Sequence, residues 1–212
     1  MFKKKTLYAI FNYLENWQQG DKPIVKMRNL LISPINMRNS IIQLIENEIK
    51  HAKQGKTAKI IIKSNSISDQ ILIDHLYKAA KAGVEVNLII RGILTLKKGS
   101  EKLKNKLNAI SIVDQYLEHA RVMIFHNKGN EKVFISSADW MVRNLDHRIE
   151  VAAPILDVKL KKELVEIINI QLNDNQKARI LDENLGNNYV SSVGKKHCKS
   201  QVATYNYLIG KK

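Results

Sequence analysis

The feature that most constrains this chain is a rhythm running from residue 58 to residue 92. Residues 58–63 form a short β-branched run that stops in polar Ser64-Asn65-Ser66. A helical stretch follows, with Asp69 near its start, Ile71, Ile73, Leu76 and Ala80 as its apolar content, and Gly83 at its end. Residues 84–90 are again strand-like and stop at Arg91-Gly92. Ahead of this unit, Met37, Ile41, Leu44, Ile45 and Ile49 make one stripe of a helix over 37–54, with Gly55 in the C-cap position, and residues 27–32 read as a strand halted by Ser33-Pro34. Strand, helix, strand, helix, strand at regular intervals predicts βαβ crossovers and a sheet covered on both faces. In such sheets functional side chains collect just beyond the carboxyl ends of the strands, here Lys63-Ser64-Asn65 and Arg91-Gly92.

The remaining segments modify that plan. Residues 7–17 carry helical spacing, broken by Gly20-Asp21-Lys22-Pro23. Residues 110–113 are a short apolar strand; 121–125 and 132–135 are two more, joined by a turn at 127–130, which predicts an antiparallel pair and hence a mixed sheet. Residues 148–153 form a strand closed by Pro154, and 158–172 an amphipathic helix on Leu160, Leu164, Ile167 and Ile168. The polar stretch 185–199 reads as a surface excursion and 201–208 as a closing helix. The expected fold class is α/β, with a mixed, mainly parallel sheet flanked by helices.

Charge limits the partners. Thirty-five Lys and Arg against 20 Asp and Glu leave +15, which favours polyanions: nucleic acid, an acidic membrane or a phosphate-rich substrate. Aromatic residues are only 6% and do not accompany the lysines at Lys97, Lys98, Lys102, Lys104 and Lys106, so a polyanion without bases fits better than DNA or RNA. A solvated basic face without a specific partner accounts for the same charge. No window approaches the roughly 18 uncharged apolar residues of a membrane span, and Met1-Phe2-Lys3-Lys4-Lys5 lacks the apolar stretch of a signal peptide. One cysteine, Cys198, excludes an internal disulfide framework and a Cys-based zinc site. The expected location is cytoplasmic.

The chemistry-bearing residues concentrate between Tyr116 and Arg148. There is no P-loop, no dinucleotide-binding glycine turn and no His-Glu-x-x-His. His119 and Arg121 stand two apart at the start of a strand, so their side chains share a face. The returning strand ends in Ser136-Ser137-Ala138-Asp139, and a hairpin brings that block alongside. An imidazole, a guanidinium, hydroxyls and a carboxylate then converge. Guanidinium forks and hydroxyls suit phosphate oxygens, and the imidazole can exchange a proton near neutral pH. A surface or capping histidine is the plainer account of His119 taken alone. Glu118 is either a neighbour that tunes His119 or a solvated carboxylate.

His119-Ala120-Arg121 followed by Ser136-Ser137-Ala138-Asp139 resembles a drifted phospholipase D half-site, whose pattern is H-x-K-x4-D and then G-S-x-N. Arg121 stands for the lysine and His126 for the aspartate. With Leu88-Ile89-Ile90-Arg91-Gly92-Ile93, the run from Ser111 to His119, and Asp139-Trp140-Met141-Val142-Arg143-Asn144 leading to Arg148-Ile149-Glu150-Val151, the chain resembles the polyphosphate kinase family of large bacterial enzymes over nearly its whole length. The resemblance implies a phospholipase D-like half: residues 31–212 as the last such domain and 1–30 as the tail of the preceding one. It implies reversible transfer of the terminal phosphate of ATP to inorganic polyphosphate, with magnesium, through a phosphohistidine that lies outside this chain. Arg91 and His119 match ATP-phosphate contacts, and His119 also matches a proton donor to the departing nucleotide. Arg143 and Arg148 match basic positions along the phosphate path, with Arg121 and Ser137 beside them; Lys63 and Asn65 match a strand-end block. Magnesium ligands are expected outside the chain, and the full-length enzyme is expected to be a homo-oligomer. Because the nucleophile stores the phosphoryl group, this chain alone is expected to be inactive. A non-catalytic polyphosphate-binding module and a homodimeric phospholipase D-like nuclease remain open as rivals, with loss of the pattern's Lys and Asp against the nuclease. Peripheral membrane contact also stays open, although no helix shows a Lys-flanked aromatic face.

Overall fold

The structure is a computed structural model, and it describes residues 8, 11–15, 30–96, 106–184 and 186–210. The strand expected at 27–32 is described only from residue 30, and the helix expected at 7–17 only at residues 8 and 11–15, which are helical. The lysine cluster at Lys97, Lys98, Lys102 and Lys104 lies outside the described residues.

Eight strands form one sheet: β1 (Leu31–Ser33), β2 (Lys59–Ser64), β3 (Glu85–Ile90), β4 (Leu107–Ile112), β5 (Arg121–Phe125), β6 (Lys132–Ser136), β7 (Glu150–Pro154) and β8 (Ala178–Ile180). Their spatial order is β1-β7-β6-β5-β2-β3-β4-β8. Besides the helical residues 8 and 11–15, the described residues form the helices α1 (Met37–Lys53), α2 (Gln70–Lys81), α3 (Val142–Asp146), α4 (Val158–Leu172) and α5 (Ser200–Ile209). The mixed, helix-flanked sheet is as the sequence predicts. Its balance differs: among the described residues only the β2–β3 and β3–β4 pairings are parallel, and the other five are antiparallel. The α2 crossover makes β2 and β3 parallel neighbours, whereas β5 and β6 are joined by a short return and pair antiparallel.

The period-two alternation of β2 sorts its isoleucines. Ile60 and Ile62 join the core under α1 and α2 with Val86, Leu88, Ile90, Phe125 and Trp140. Ile61 faces the opposite layer with Ile89, Val122, Ile124 and Ile168 of α4. The α2 helix begins at Asp69, whose side chain accepts from the Leu72 amide at 3.0 Å. It stops at a Gly83 in the left-handed region, φ +96°, which returns the chain into β3. β7 starts at Glu150 rather than at 148, so Arg148 precedes the strand. β5 starts at Arg121 as expected, which leaves His119 in the loop before it and not on the strand with Arg121.

Candidate functional site

The site grows from the carboxyl end of β2, where Ser64, Asn65 and Ser66 run under the block that follows β6. Asp139 is the point where they meet. Its Oδ1 accepts from Ser64 Oγ at 2.8 Å, from the Asn65 amide at 2.9 Å and from the Ser66 amide at 3.3 Å. Arg121 closes the other side, Nε to Oδ1 and Nη2 to Oδ2, both at 3.1 Å. Burial pushes the Asp139 carboxyl up, but the bonds from Arg121, Ser64 and the Asn65 amide outweigh it and hold the group at about 2.

Arg121 then reaches His119. Its Nη1 lies 3.2 Å from His119 Nδ1, its Nη2 lies 3.3 Å from Nε2, and Nη1 donates to the His119 carbonyl at 3.1 Å. The imidazole itself is exposed. Arg91, at the end of β3, is anchored from the same centre: its Nε donates to Asn65 Oδ1 at 2.7 Å, and Asn65 Nδ2 faces Asp139 Oδ2 at 3.4 Å. The next residue must be glycine, because a Cβ on Gly92 would stand 2.9 Å from the Asn65 carbonyl and 3.1 Å from Ser66 Oγ. Arg91 also lines a cleft of about 530 Å³ with Ser111 and Arg179.

Arg91, Asn65, Arg121 and His119 therefore form one connected cluster. Lys63 does not join it. It points to the α4 face, buried, and its Nζ donates to Glu118 Oε2 and to Gln171 Oε1, the latter at 2.7 Å. Ser137 is also elsewhere: it donates to Glu150 and accepts from the Val151 amide at 3.1 Å, tying β6 to β7. Arg143 on α3 and Arg148 before β7 are exposed, and neither side chain has a hydrogen-bond or ion-pair partner among the described residues.

The Glu118 carboxylate is bonded away from the imidazole. It accepts from Lys63, from Gln171 Nε2 at 2.8 Å and from Gln201 Nε2 at 3.2 Å, so it fastens the loop before His119 to β2, α4 and α5. Burial draws the Lys63 ammonium below its ordinary value, with Glu118 opposing. Gln171 and Gln201 are contributors that the sequence reading missed. Each is one polar residue in an amphipathic helix, and nothing in the local pattern marks it.

The residues here do not fit a magnesium ion. Among the described residues no three of His, Cys, Asp or Glu converge to hold a metal, and the oxygens of Asp139 and Glu118 are taken by donors from the protein.

Residues 30–201 match the family model described as polyphosphate kinase C-terminal domain 2. A polyphosphate kinase of Vibrio parahaemolyticus is 48% identical over 199 residues, covering 94% of this chain and 28% of the relative. The crystal structure of polyphosphate kinase from Porphyromonas gingivalis superposes with a TM-score of 0.88 at 43% identity, over 95% of this chain and 31% of that one. Nuc from Salmonella typhimurium, a phospholipase D family member, shares the fold at 17% identity and a TM-score of 0.50, over 73% of this chain and 97% of Nuc. The chain thus spans under a third of the length of the polyphosphate kinases it matches.

Proposed function

This chain belongs to the polyphosphate kinase family, as its C-terminal domain 2, and from that premise we propose that it supplies the phosphate-holding, leaving-group side of a transfer from ATP to inorganic polyphosphate. The observation that carries the reading is the connected cluster at the strand ends: an exposed imidazole at His119 alongside the Arg121 guanidinium, with Arg91 tethered through Asn65 and Asp139. Phosphoryl transfer asks a protein mainly to position groups and to neutralise charge on the transferring oxygens. Arg91 grips the phosphates of ATP. His119 gives a proton or hydrogen bond to the bridging oxygen that leaves with ADP as its bond to the γ-phosphorus breaks. Arg121, neutralised in part by Asp139, holds His119 rather than substrate. Arg143 and Arg148, exposed and unpaired among the described residues, take the polyphosphate chain. The nucleophilic histidine that receives the phosphoryl group comes from outside this chain.

The same reading carries several further assignments. Residues 1–30 are the tail of a preceding domain, magnesium is held by residues outside this chain, and the full-length enzyme is cytoplasmic and homo-oligomeric.

The test uses ATP labelled at the γ-phosphate. The 212-residue chain should bind ATP, lose that binding in Arg91→Ala, and take up no acid-labile label. Acid-labile label on this chain, or polyphosphate synthesis by it alone, would overturn the assignment of the nucleophile elsewhere.

A further inference from the structure

The turn between α4 and β8, residues 195–199 and the start of α5 line an open pocket of about 950 Å³, none of whose side chains belongs to the cluster at the strand ends. Lys195, Lys196, His197 and Lys199 line it with carboxamides between them, and no carboxylate and no Phe, Tyr or Trp ring is among its lining residues.

These basic groups stand on fixed backbone. Asn175 closes three bonds on residues 196–198: its amide donates to the Cys198 carbonyl at 3.0 Å, its Oδ1 accepts from the Cys198 amide at 2.9 Å, and its Nδ2 donates to the Lys196 carbonyl at 2.9 Å. Asp174, fully buried, accepts from the amides of Gln176, Lys177, Ala178 and Ser200, which joins the turn to the first residue of α5. Gln176 Nε2 donates to His197 Nδ1 at 2.7 Å, leaving the ring hydrogen on Nε2 as a donor. The amino end of α5 adds its partial positive charge to the same cavity.

We propose that this cavity is a second anion site of the chain and that it takes a run of inorganic phosphates. Lys195 and Lys196, with Lys199 beside them in its 3.4 Å contact with Asp114, favour a multiply charged ligand, and ammonium binds phosphate as a point charge without demanding one geometry. With no Phe, Tyr or Trp ring in the lining, a nucleobase finds no large stacking face and only the small His197 imidazole, so a base-free phosphate oligomer fits better than a nucleotide or nucleic acid. The choice of phosphate oligomer rests on the phosphoryl-transfer reading above.

Residues at the start of α5 also contact the loop before His119. Lys199 Nζ lies 3.4 Å from Asp114 Oδ1, and Asp114 Oδ2 is buried without a partner among the described residues. Gln201 brackets Tyr116, accepting from its amide at 3.0 Å and donating to its carbonyl at 2.8 Å.

Inorganic tripolyphosphate is titrated calorimetrically into the 212-residue chain at fixed ionic strength, beside a Lys195→Ala/Lys196→Ala variant and an Arg91→Ala/His119→Ala variant. Both lysines are exposed, and circular dichroism verifies that their variant folds. Two classes of site are expected in the parent. The lysine variant weakens one class about tenfold, the scale of lost charge-assisted contacts, and spares the other. ATP competes only at the class that needs Arg91. A lysine variant that titrates like the parent overturns the second site and leaves the proposed function standing. A lysine-dependent class beside an unaffected Arg91/His119 variant keeps the cavity and removes the proposed function. Competition by ATP at the lysine class with the affinity of tripolyphosphate overturns the preference for a base-free ligand.

Discussion

Arg121 and Asp139 face each other in a fork, Nε to Oδ1 and Nη2 to Oδ2, at 3.1 Å for both bonds. The fork joins the strand that follows His119 to the block after β6, and the same carboxylate holds Ser64 and Asn65. Asp139 sits at about 2 against an ordinary 3.8, so its charged form is favoured by folding. A depressed carboxyl stabilises the fold above the unfolded value and loses that contribution as pH falls through the folded one. Asp139→Asn should therefore cost about 2 kcal/mol near neutrality. The difference from the parent should shrink between about pH 4 and pH 2, as the parent carboxylate is protonated. Urea midpoints of both proteins across that range give the answer; a gap independent of pH would show that the charge plays no part.

Lys63 and Glu118 form a buried pair with different consequences. Glu118→Ala strands an ammonium among Gln171 and apolar neighbours, which should cost about 3 kcal/mol. Lys63→Met in the Glu118→Ala background should recover most of that loss, since an apolar side chain needs no partner. The slope with pH has the same sign as for Asp139, because a lowered value in either group makes stability rise with pH, but here it lies in the alkaline range. Burial draws the Lys63 value down, so its penalty is present at neutral pH and is relieved as pH rises through the lowered value. The deficit of Glu118→Ala should narrow toward alkaline pH, read from chemical unfolding at several buffered points.

Gly92 tests the link between packing and the position of Arg91. A Cβ there would stand 2.9 Å from the Asn65 carbonyl, which the Gly92 amide also bonds at 2.8 Å. Backbone has to move, so Gly92→Ala should cost about 1–3 kcal/mol. Asn65 moves with it, and Arg91 loses its 2.7 Å tether. ATP binding should weaken in Gly92→Ala and in Asn65→Ala alike, while a lowered melting temperature with unchanged ATP binding would separate packing from function.

Local pattern made much of this legible. β5 runs Arg121–Phe125 as expected, and α1 runs Met37–Lys53 against an expected 37–54, because β-branched runs and a single apolar stripe leave little choice. β4 begins at Leu107 rather than at 110, since Asn108 interrupts the apolar run with a side chain on the exposed side of the alternation. β8, three residues with Arg179 at its centre, and α3, five residues, are too short to leave a period. The partners of Glu118 were illegible for another reason. They come from α4 and α5, 53 and 83 residues away, and depend on how those helices dock. The strand-end block containing Asp139 stood out in the sequence; its bond to the Asn65 amide, which depends on register between distant strands, did not.

His119 offers the cleanest separation of activity from stability. Its ring is exposed, and the hydrogen bond to its carbonyl from Arg121 uses backbone that any residue provides. His119→Ala should leave the melting temperature near that of the parent, within about 0.5 kcal/mol of stability. In the full-length enzyme the same change removes the group proposed to assist the leaving ADP oxygen, and kcat for polyphosphate synthesis should fall about 10²- to 10⁴-fold. The fall should appear in kcat more than in KM, because a proton given to the leaving oxygen is worth most as its bond breaks. Arg121→Lys provides the companion measurement. A lysine keeps the charge beside Asp139 but cannot make the two-point fork, so it should lower kcat through a displaced imidazole. A His119→Ala enzyme that turns over at the parental rate would remove the imidazole from the reaction, whatever its neighbours do.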